Sequence, residues 1–460
     1  MKLWEYIKSK MLVYPKRIVC ENHAEMTYED LVVYAEMFAK ELKGIQCCAI
    51  LCRSEMAASM ALLGCFAGGV TALPLSCRYG TKHSIRILRT ISPDAIITDF
   101  EGEFQITRIS DSEYVEPNNI HPALIMCTSG TTGIPKGVML TEKNIMTNIS
   151  DIARYFRIGK SDSILITRSL HHCAVLVGEF LTGLAKGTTI RFYSEEFNPS
   201  NIIDLIKEYK ITTFCGTPTM LKLMAWYKRD QELESLKTIF ISGECMDSVT
   251  GKSICKAFPN VRIYHGYGLT EACPRVSCLA PGMFSRCPDR VGKPLHSVSL
   301  KIIKDNGCVA DNNEIGVLWV KGDNIMAGYY NDPERTKSVL QDGWLCTGDL
   351  AMIDHRGMLV IKGRADDLII KAGMNIYPQE IENALKEDSR VREIWVRGEH
   401  DNKYGTQIVA SVVGDFNNID QVKKLCVQQL PSYEIPNKIY LVTELPKNEF
   451  GKMYRRKEDA

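Results

Sequence analysis

Residues 128–137 read TSGTTGIPKG, and the interpretation of this stretch decides the rest of the chain. Its ten positions hold three glycines, three threonines, one serine and one lysine. The apolar run at 123–127 before it has the texture of a strand. Residues 138–140 after it are apolar again, and Thr141 stands where a helix cap belongs, ahead of Ile145 and Ile149. The stretch is therefore a loop between two ordered elements. Glycines at 130, 133 and 137 allow backbone turns that other residues resist. Successive N–H groups in such a turn form a concave anion site. The hydroxyls of Ser129, Thr131 and Thr132 add donors, and Lys136 adds a charge. A triphosphate suits this chemistry. The pattern is not Walker A, since Pro135 precedes the lysine and Gly137 follows it.

A chain of 460 residues implies two or three domains, and 45% apolar residues supply a sizeable core. The net charge of +1 gives no pointer to nucleic acid or an anionic membrane. The 17 cysteines are scattered, odd in number and without a CxxC pair. Cys48 with Cys52, and Cys273 with Cys278, have a spacing that zinc tolerates, but neither has a second Cys/His pair at a typical distance. Cys65, Cys127 and Cys215 lie in apolar runs, where cysteine acts as a small hydrophobe. Free thiols in a reducing, cytoplasmic setting are expected. Residues 1–17 mix charge throughout and lack an apolar signal core. Residues 57–75 carry no charge, yet Gly64, Gly68, Gly69 and Pro74 favour a buried helix, a turn and a strand over a membrane span.

Along the chain, residues 26–42 read as a helix capped by Thr27, and 46–52 as a strand. Strands at 164–166, 188–193, 211–215, 236–241 and 261–264 then alternate with helices at 175–185 and from Pro199 to about 209, with Asn198 as cap. Such alternation implies sheets with helices packed on them. From about 282 to 363 strands dominate, including 299–303 and 317–320, with turns at Asp305-Asn306-Gly307 and Asp354-His355-Arg356-Gly357. Beyond Arg364, Pro378 opens a helix with Glu380 and Glu382 near its positive end. Strands follow at 394–396, 407–413 and 438–442. The expected fold class is α/β: a large N-terminal domain of helix-packed sheets with a β-rich subdomain (1–365), and a small mobile α+β domain (366–460) of roughly 95 residues.

Further motifs give TSGTTGIPKG its context. Residues 264–271 read YHGYGLTE, 344–349 WLCTGD, 363–382 GRADDLIIKAGMNIYPQEIE and 446–452 PKNEFGK. Together, in this order, they resemble the adenylate-forming superfamily of acyl- and aryl-CoA synthetases, non-ribosomal peptide adenylation domains and luciferases. The resemblance spans nearly the whole chain. It implies ATP and Mg²⁺ as cofactors, and coenzyme A or a carrier protein's phosphopantetheine as acceptor.

Residue by residue, the resemblance places ATP or AMP against Thr128, Ser129, Gly130, Thr131, Thr132, Gly133 and Lys136, against Gly243 and Glu244 of Ser242-Gly243-Glu244, and against Tyr267, Gly268 and Thr270. Tyr267 would stack on adenine and Thr270 would bind the α-phosphate. Glu271 would hold Mg²⁺, a hard cation suited to carboxylate and phosphate oxygens. Asp349 would accept the ribose hydroxyls, and Arg364 would contact ribose or phosphate. Asp366 matches the hinge, and Gly373, Met374 and Asn375 the loop of the thiol step. Lys452, Lys136 and Thr270 would be catalytic, with Lys452 bridging carboxylate and α-phosphate. Gly328-Tyr329-Tyr330-Asn331-Asp332-Pro333 matches a signature read as structural.

His172, Val175, Gly243, Gly266, Tyr267 and Gly268 would line the acyl pocket, with Gly266 leaving room for a chain. Amino-acid-activating relatives usually place an aspartate after the aromatic of the pocket motif, but SLHHCAVLVGEF has none. A neutral-tailed aliphatic or aryl acid is therefore expected. An amino-acid substrate, with Glu179 or Glu244 pairing its ammonium, is the alternative. A luciferase-like oxygenase and a binding protein without catalysis are readings from other classes. The chain has no long insertion in its β-rich part, which argues against the fatty acyl-AMP ligase branch.

Overall fold

The computed structural model describes residues 1–78, 81–100, 103–116, 120–128, 135–228, 233–371, 374–401 and 405–446. Local chemistry sets many helix starts. Thr27 and Thr141 each form a reciprocal capping box, with Asp30 and Asn144, ahead of helices Tyr28–Glu41 and Glu142–Tyr155. Asn198 caps Pro199–Glu208, and Ser54 caps Glu55–Gly68. That last helix is apolar on most faces and is followed by Gly69 in the left-handed region and strand Thr71–Pro74. Among the described residues no helix is long and apolar enough to cross a membrane.

Two large sheets carry the N-terminal part. The nine-stranded sheet is parallel from Ile18–Glu21 through Thr189–Phe192, Ser163–Ile166, Thr213–Gly216 and Thr238–Ile241 to Arg262–Gly268. Its far edge turns antiparallel with Arg275–Leu279 and Lys293–Pro294. The seven-stranded sheet holds Leu124–Thr128 and Lys136–Leu140 as an antiparallel pair, with Gly328–Tyr329 against its edge. Helices buried between the sheets join them in one core that includes Phe38, Leu62, Phe156, Phe180 and Phe240.

The β-rich region is a five-stranded antiparallel sheet built on Val298–Ile303, Gly316–Gly322 and the long strand Trp344–Ile353. Past the turn Ala365–Asp367, a separate core forms around Ile376, Ile381, Ile394, Ile408, Val412 and Leu425. It packs helices Pro378–Leu385 and Ile419–Gln429 on the sheet of Val391–Asp401, Gly405–Gly414 and Lys438–Leu441. Among the described residues two ion pairs tie this unit back to the larger part: Lys362 to Glu380 at 2.9 Å and Lys386 to Asp247 at 3.7 Å.

Three expectations change. Strand Arg262–Gly268 runs through the YHGYG segment instead of ending at 264, because Arg275–Leu279 pairs with that segment. The helix expected at 175–185 is interrupted by a π-helical stretch, Leu176–Leu181, between Cys173–Val175 and Thr182–Lys186. π-Helical turns inside helices often mark functional sites. Gly137 is not a turn residue. It pairs in register with Cys127, and a Cβ there would fall 2.6 Å from Ile91 Cδ1 and 3.2 Å from Tyr330 Cβ, so its role is close packing.

Asn148, fully buried, fixes the far edge of the nine-stranded sheet to helix Glu142–Tyr155. Its Nδ2 donates to Arg275 O at 2.9 Å and its Oδ1 accepts from Arg275 N at 3.2 Å. Asn148→Ala would leave the buried Arg275 N–H without this acceptor, while Arg275 O keeps Asn324 Nδ2 at 3.2 Å, at a cost of about 1–3 kcal/mol. Urea unfolding of the two proteins measures it.

Candidate active site

The hairpin register sets the frame. Thr128 and Lys136 face each other across the strand pair, so these two strand ends lie side by side. Ser129, Gly130, Thr131, Thr132 and Gly133 lie outside the described residues, as do Gly373 and Lys452. Met374 and Asn375 belong to a short strand, Met374–Ile376, paired with Ile369–Lys371.

The described residues bring Lys136, Tyr267, Glu271, Asp349 and Arg364 together. Tyr267 lies near the end of the last parallel strand, and its hydroxyl donates to Asp349 Oδ2. Arg364 Nη1 donates to Asp349 Oδ1 and to Thr347 O, both at 3.0 Å. Asp349 N donates to Thr347 Oγ1 at 3.0 Å. Burial, and then the charge of Asp349, hold the Tyr267 phenol far above its ordinary pKa, so it stays a donor. This short chain of bonds joins the nine-stranded sheet to the β-rich sheet.

Glu271 sits in the turn Thr270–Ala272 that follows. Its Oε1 accepts from Tyr329 Oη at 2.9 Å, and Lys136 Nζ stands 5.4 Å from the centroid of the same tyrosine ring. Burial lowers the Lys136 pKa, Arg335 and Arg364 lower it further, and Glu271 and Asp366 oppose them. An arriving polyanion would reverse that depression. Among the described residues no group of three or more His, Cys, Asp or Glu could hold a metal. A cation here would rely on Glu271 together with phosphate oxygens, which suits Mg²⁺. Tyr329 and Arg335 are site residues that the sequence reading missed. Tyr329 was in view within Gly328–Pro333, but nothing in its spacing showed that its hydroxyl reaches Glu271.

Other expected pocket residues have roles that close packing explains. Gly268 is required by backbone proximity: a Cβ there would fall 2.0 Å from Pro274 O. Gly266 offers no room for an acyl chain, because the Phe240 ring already fills that space and would meet a Cβ at 2.6 Å. Gly243 has φ +96°, which favours glycine, at the turn after strand Thr238–Ile241. Glu244 Oε2 accepts from Thr219 Oγ1 at 2.7 Å and Thr219 N at 3.2 Å. Val175 is fully buried in the main core. None of the 17 cysteines, all of them among the described residues, is in a disulfide.

His172 is partly buried at the N-cap of Cys173–Val175. Its ring centroid lies 3.9 Å from that of His171. Burial, followed by the charge of Arg78, pulls the His171 pKa down to about 3, so that ring is neutral. The hinge candidate Asp366 is exposed in the turn Ala365–Asp367. Beside it Arg364, Asp367, Tyr377, Pro378 and Gln379 line a recess between the β-rich sheet and the C-terminal unit.

The AMP-binding enzyme family matches residues 8–330, and the AMP-binding enzyme C-terminal domain matches residues 380–452. A 2-succinylbenzoate–CoA ligase of Bacillus licheniformis is 31% identical over 480 aligned residues, covering 98% of each chain. The o-succinylbenzoate CoA synthetase of Bacillus subtilis, solved with its acyl-adenylate intermediate, superposes with a TM-score of 0.85 at 29% identity, covering 98% of this chain and 96% of that one. The same synthetase with ATP and magnesium ion gives 0.85 at 28% identity, covering 99% of each chain. The chain belongs to the family of AMP-binding, adenylate-forming enzymes. By class it is an AMP-forming acid–thiol ligase.

Glu55 tethers the histidine loop, since its Oε2 accepts from Leu170 N at 2.9 Å. Burial raises its pKa from the ordinary 4.5 to about 7. The folded state then binds this proton more tightly than the unfolded state, so the contribution of Glu55 to stability falls as pH rises from about 4.5 to 7. Glu55→Gln removes that slope. Urea midpoints of both proteins between pH 4.5 and 8 should differ most at the alkaline end, with the variant the more stable.

Proposed function

We propose that the chain joins a carboxylic acid to coenzyme A in two half-reactions at the site of Lys136, Tyr267, Glu271, Asp349 and Arg364. The observation that carries this reading is their convergence from separate stretches of sequence, in a chain matched by the AMP-binding family nearly end to end. ATP would lie with its triphosphate on the loop 129–134 and Lys136, its α-phosphate by Thr270 and its ribose on Asp349 and Arg364. Bound to Glu271, Mg²⁺ would supply neutralisation of phosphate charge.

In the first half-reaction a carboxylate oxygen attacks the α-phosphorus and pyrophosphate leaves, giving an acyl-adenylate. Lys136 and Lys452 would offset the negative charge gathering around that phosphorus. In the second, a thiolate sulfur attacks the acyl carbon and AMP leaves, giving the thioester. The C-terminal unit, with its boundary after residue 365, would turn about Asp366 between the two, withdrawing Lys452 and bringing Gly373, Met374 and Asn375 towards the thiol. Its own core and its few ion pairs to the larger part support such a movement.

Coenzyme A is favoured over a carrier protein because the relatives described above are CoA ligases by name. An amino-acid substrate is disfavoured, because Glu179 already faces the cation Arg168 through one oxygen and Glu244 already accepts from Thr219 N and Oγ1.

With ATP, Mg²⁺, an aryl or aliphatic acid and coenzyme A, mass spectrometry should find acyl-CoA and AMP in equal amounts. Acylation confined to a phosphopantetheinylated carrier protein would contradict the acceptor, and ADP as product would contradict the chemistry. Lys452→Ala should slow adenylation about 100-fold or more while acyl transfer from a supplied acyl-adenylate stays within a few-fold. An equal fall in both half-reactions would rule out the two-position mechanism.

A further inference from the structure

Behind the last parallel strand lies a buried charged group that the two half-reactions leave unused. Arg275 is 2% exposed and pairs across the ladder with Gly268. Its guanidinium carbon stands 4.2 Å from the centroid of the Phe240 ring, and Nη1 donates to Ser242 Oγ at 2.7 Å. Ser242 precedes Gly243 of the expected acyl pocket. On the facing π-helical stretch, Gly178 comes so close that a Cβ would lie 3.2 Å from Arg275 Nη2. The next residue, Glu179, is 1% exposed and accepts from Arg168.

The group is unbalanced. Among the described residues two guanidinium groups stand against one carboxylate, and Arg168 already takes one of its oxygens. Arg275 Nε, Arg168 Nε, Glu179 Oε2 and Tyr155 Oη are buried without a hydrogen-bond partner among the described residues. Burial raises the Glu179 pKa, and Arg168 and Arg275 act against it, so both cations bear on one carboxylate. Buried charges are normally paired, and an excess buried cation is compensated most directly by an anion. Arginine, with its planar fork of donors, suits a carboxylate.

We propose that Arg275, with Arg168 and Glu179 beside it, recognises an anionic group at the far end of the acid, making the preferred substrate a dicarboxylate of which one carboxylate is activated and the other is held. This rests on the adenylation reading of the same site and reverses the neutral tail expected from the missing aspartate. Arg275 acts here as a specificity residue and takes no part in the bond changes.

The test uses matched acids that differ in one carboxylate: adipate against hexanoate, and 2-succinylbenzoate against 3-benzoylpropionate. Acid-dependent AMP formation with coenzyme A gives kcat/KM for each. The proposal expects the dicarboxylate of at least one pair to exceed its partner at least tenfold. Arg275→Met should lower that dicarboxylate at least tenfold and its neutral partner less than threefold. Glu179→Gln, which removes the opposing charge, should keep or raise the preference, and the wild-type ratio stands alone if either variant fails to fold. Neutral members equal to or better than their partners in both pairs, or Arg275→Met depressing both members equally, would overturn the proposal and leave adenylation intact. No AMP from any of the four acids would instead sink the adenylation reading, and this inference with it.

Discussion

The contact on which this site depends is the bond from Tyr267 to Asp349, continued to Arg364. It is made between two sheets that fold around different sequence. Tyr267 is placed by a parallel ladder ending at Arg262–Gly268, and Asp349 by an antiparallel strand of the β-rich sheet. Arg364 closes the chain one residue before the turn that leads into the C-terminal unit. A nucleotide held across this contact would touch both sheets, next to the turn Ala365–Asp367. Glycine makes the approach possible where a side chain could not, since Gly268 lies almost against the Pro274 carbonyl.

Charge is distributed unevenly around that contact. Near Lys136, whose pKa burial lowers, Arg335 and Arg364 lower it further and Glu271 and Asp366 oppose them, while Asp349 pairs with Arg364 and Asp332 with Arg335. Around Glu179, among the described residues, Arg275 and Arg168 stand against that one carboxylate. Uncompensated buried cations are costly for a protein by itself. An anionic group on the acid would relieve the excess around Glu179. An ammonium-bearing substrate would instead bring a third cation to that group.

Much of the fold was legible because it is local. Caps at Thr27, Thr141 and Asn198, and the alternation of short apolar runs with amphipathic helices, need no distant partner to be recognised. The family was legible because its motifs are long and ordered. What escaped is long-range. The YHGYG segment stays a strand only because Arg275–Leu279 pairs with it. Gly137 and Gly266 looked like freedom and space, but each is small because a neighbour, Ile91 or Phe240, occupies the volume beside it. Tyr329 belonged to a stretch read as structural, although its hydroxyl meets Glu271 across 58 positions. Arg275 carried no signal of its own, since a single arginine on a strand edge is ordinarily solvated, and only the folded sheets show it buried against Phe240.

If this site forms an acyl-adenylate before any thiol is involved, pyrophosphate exchange will show it. Labelled pyrophosphate, supplied with ATP, Mg²⁺ and a carboxylic acid but no coenzyme A, should appear as label in ATP only when an accepted acid is present, because adenylation runs in reverse. An ATP-binding protein that never exchanges label with any acid, or exchanges it only when a thiol is added, would contradict it.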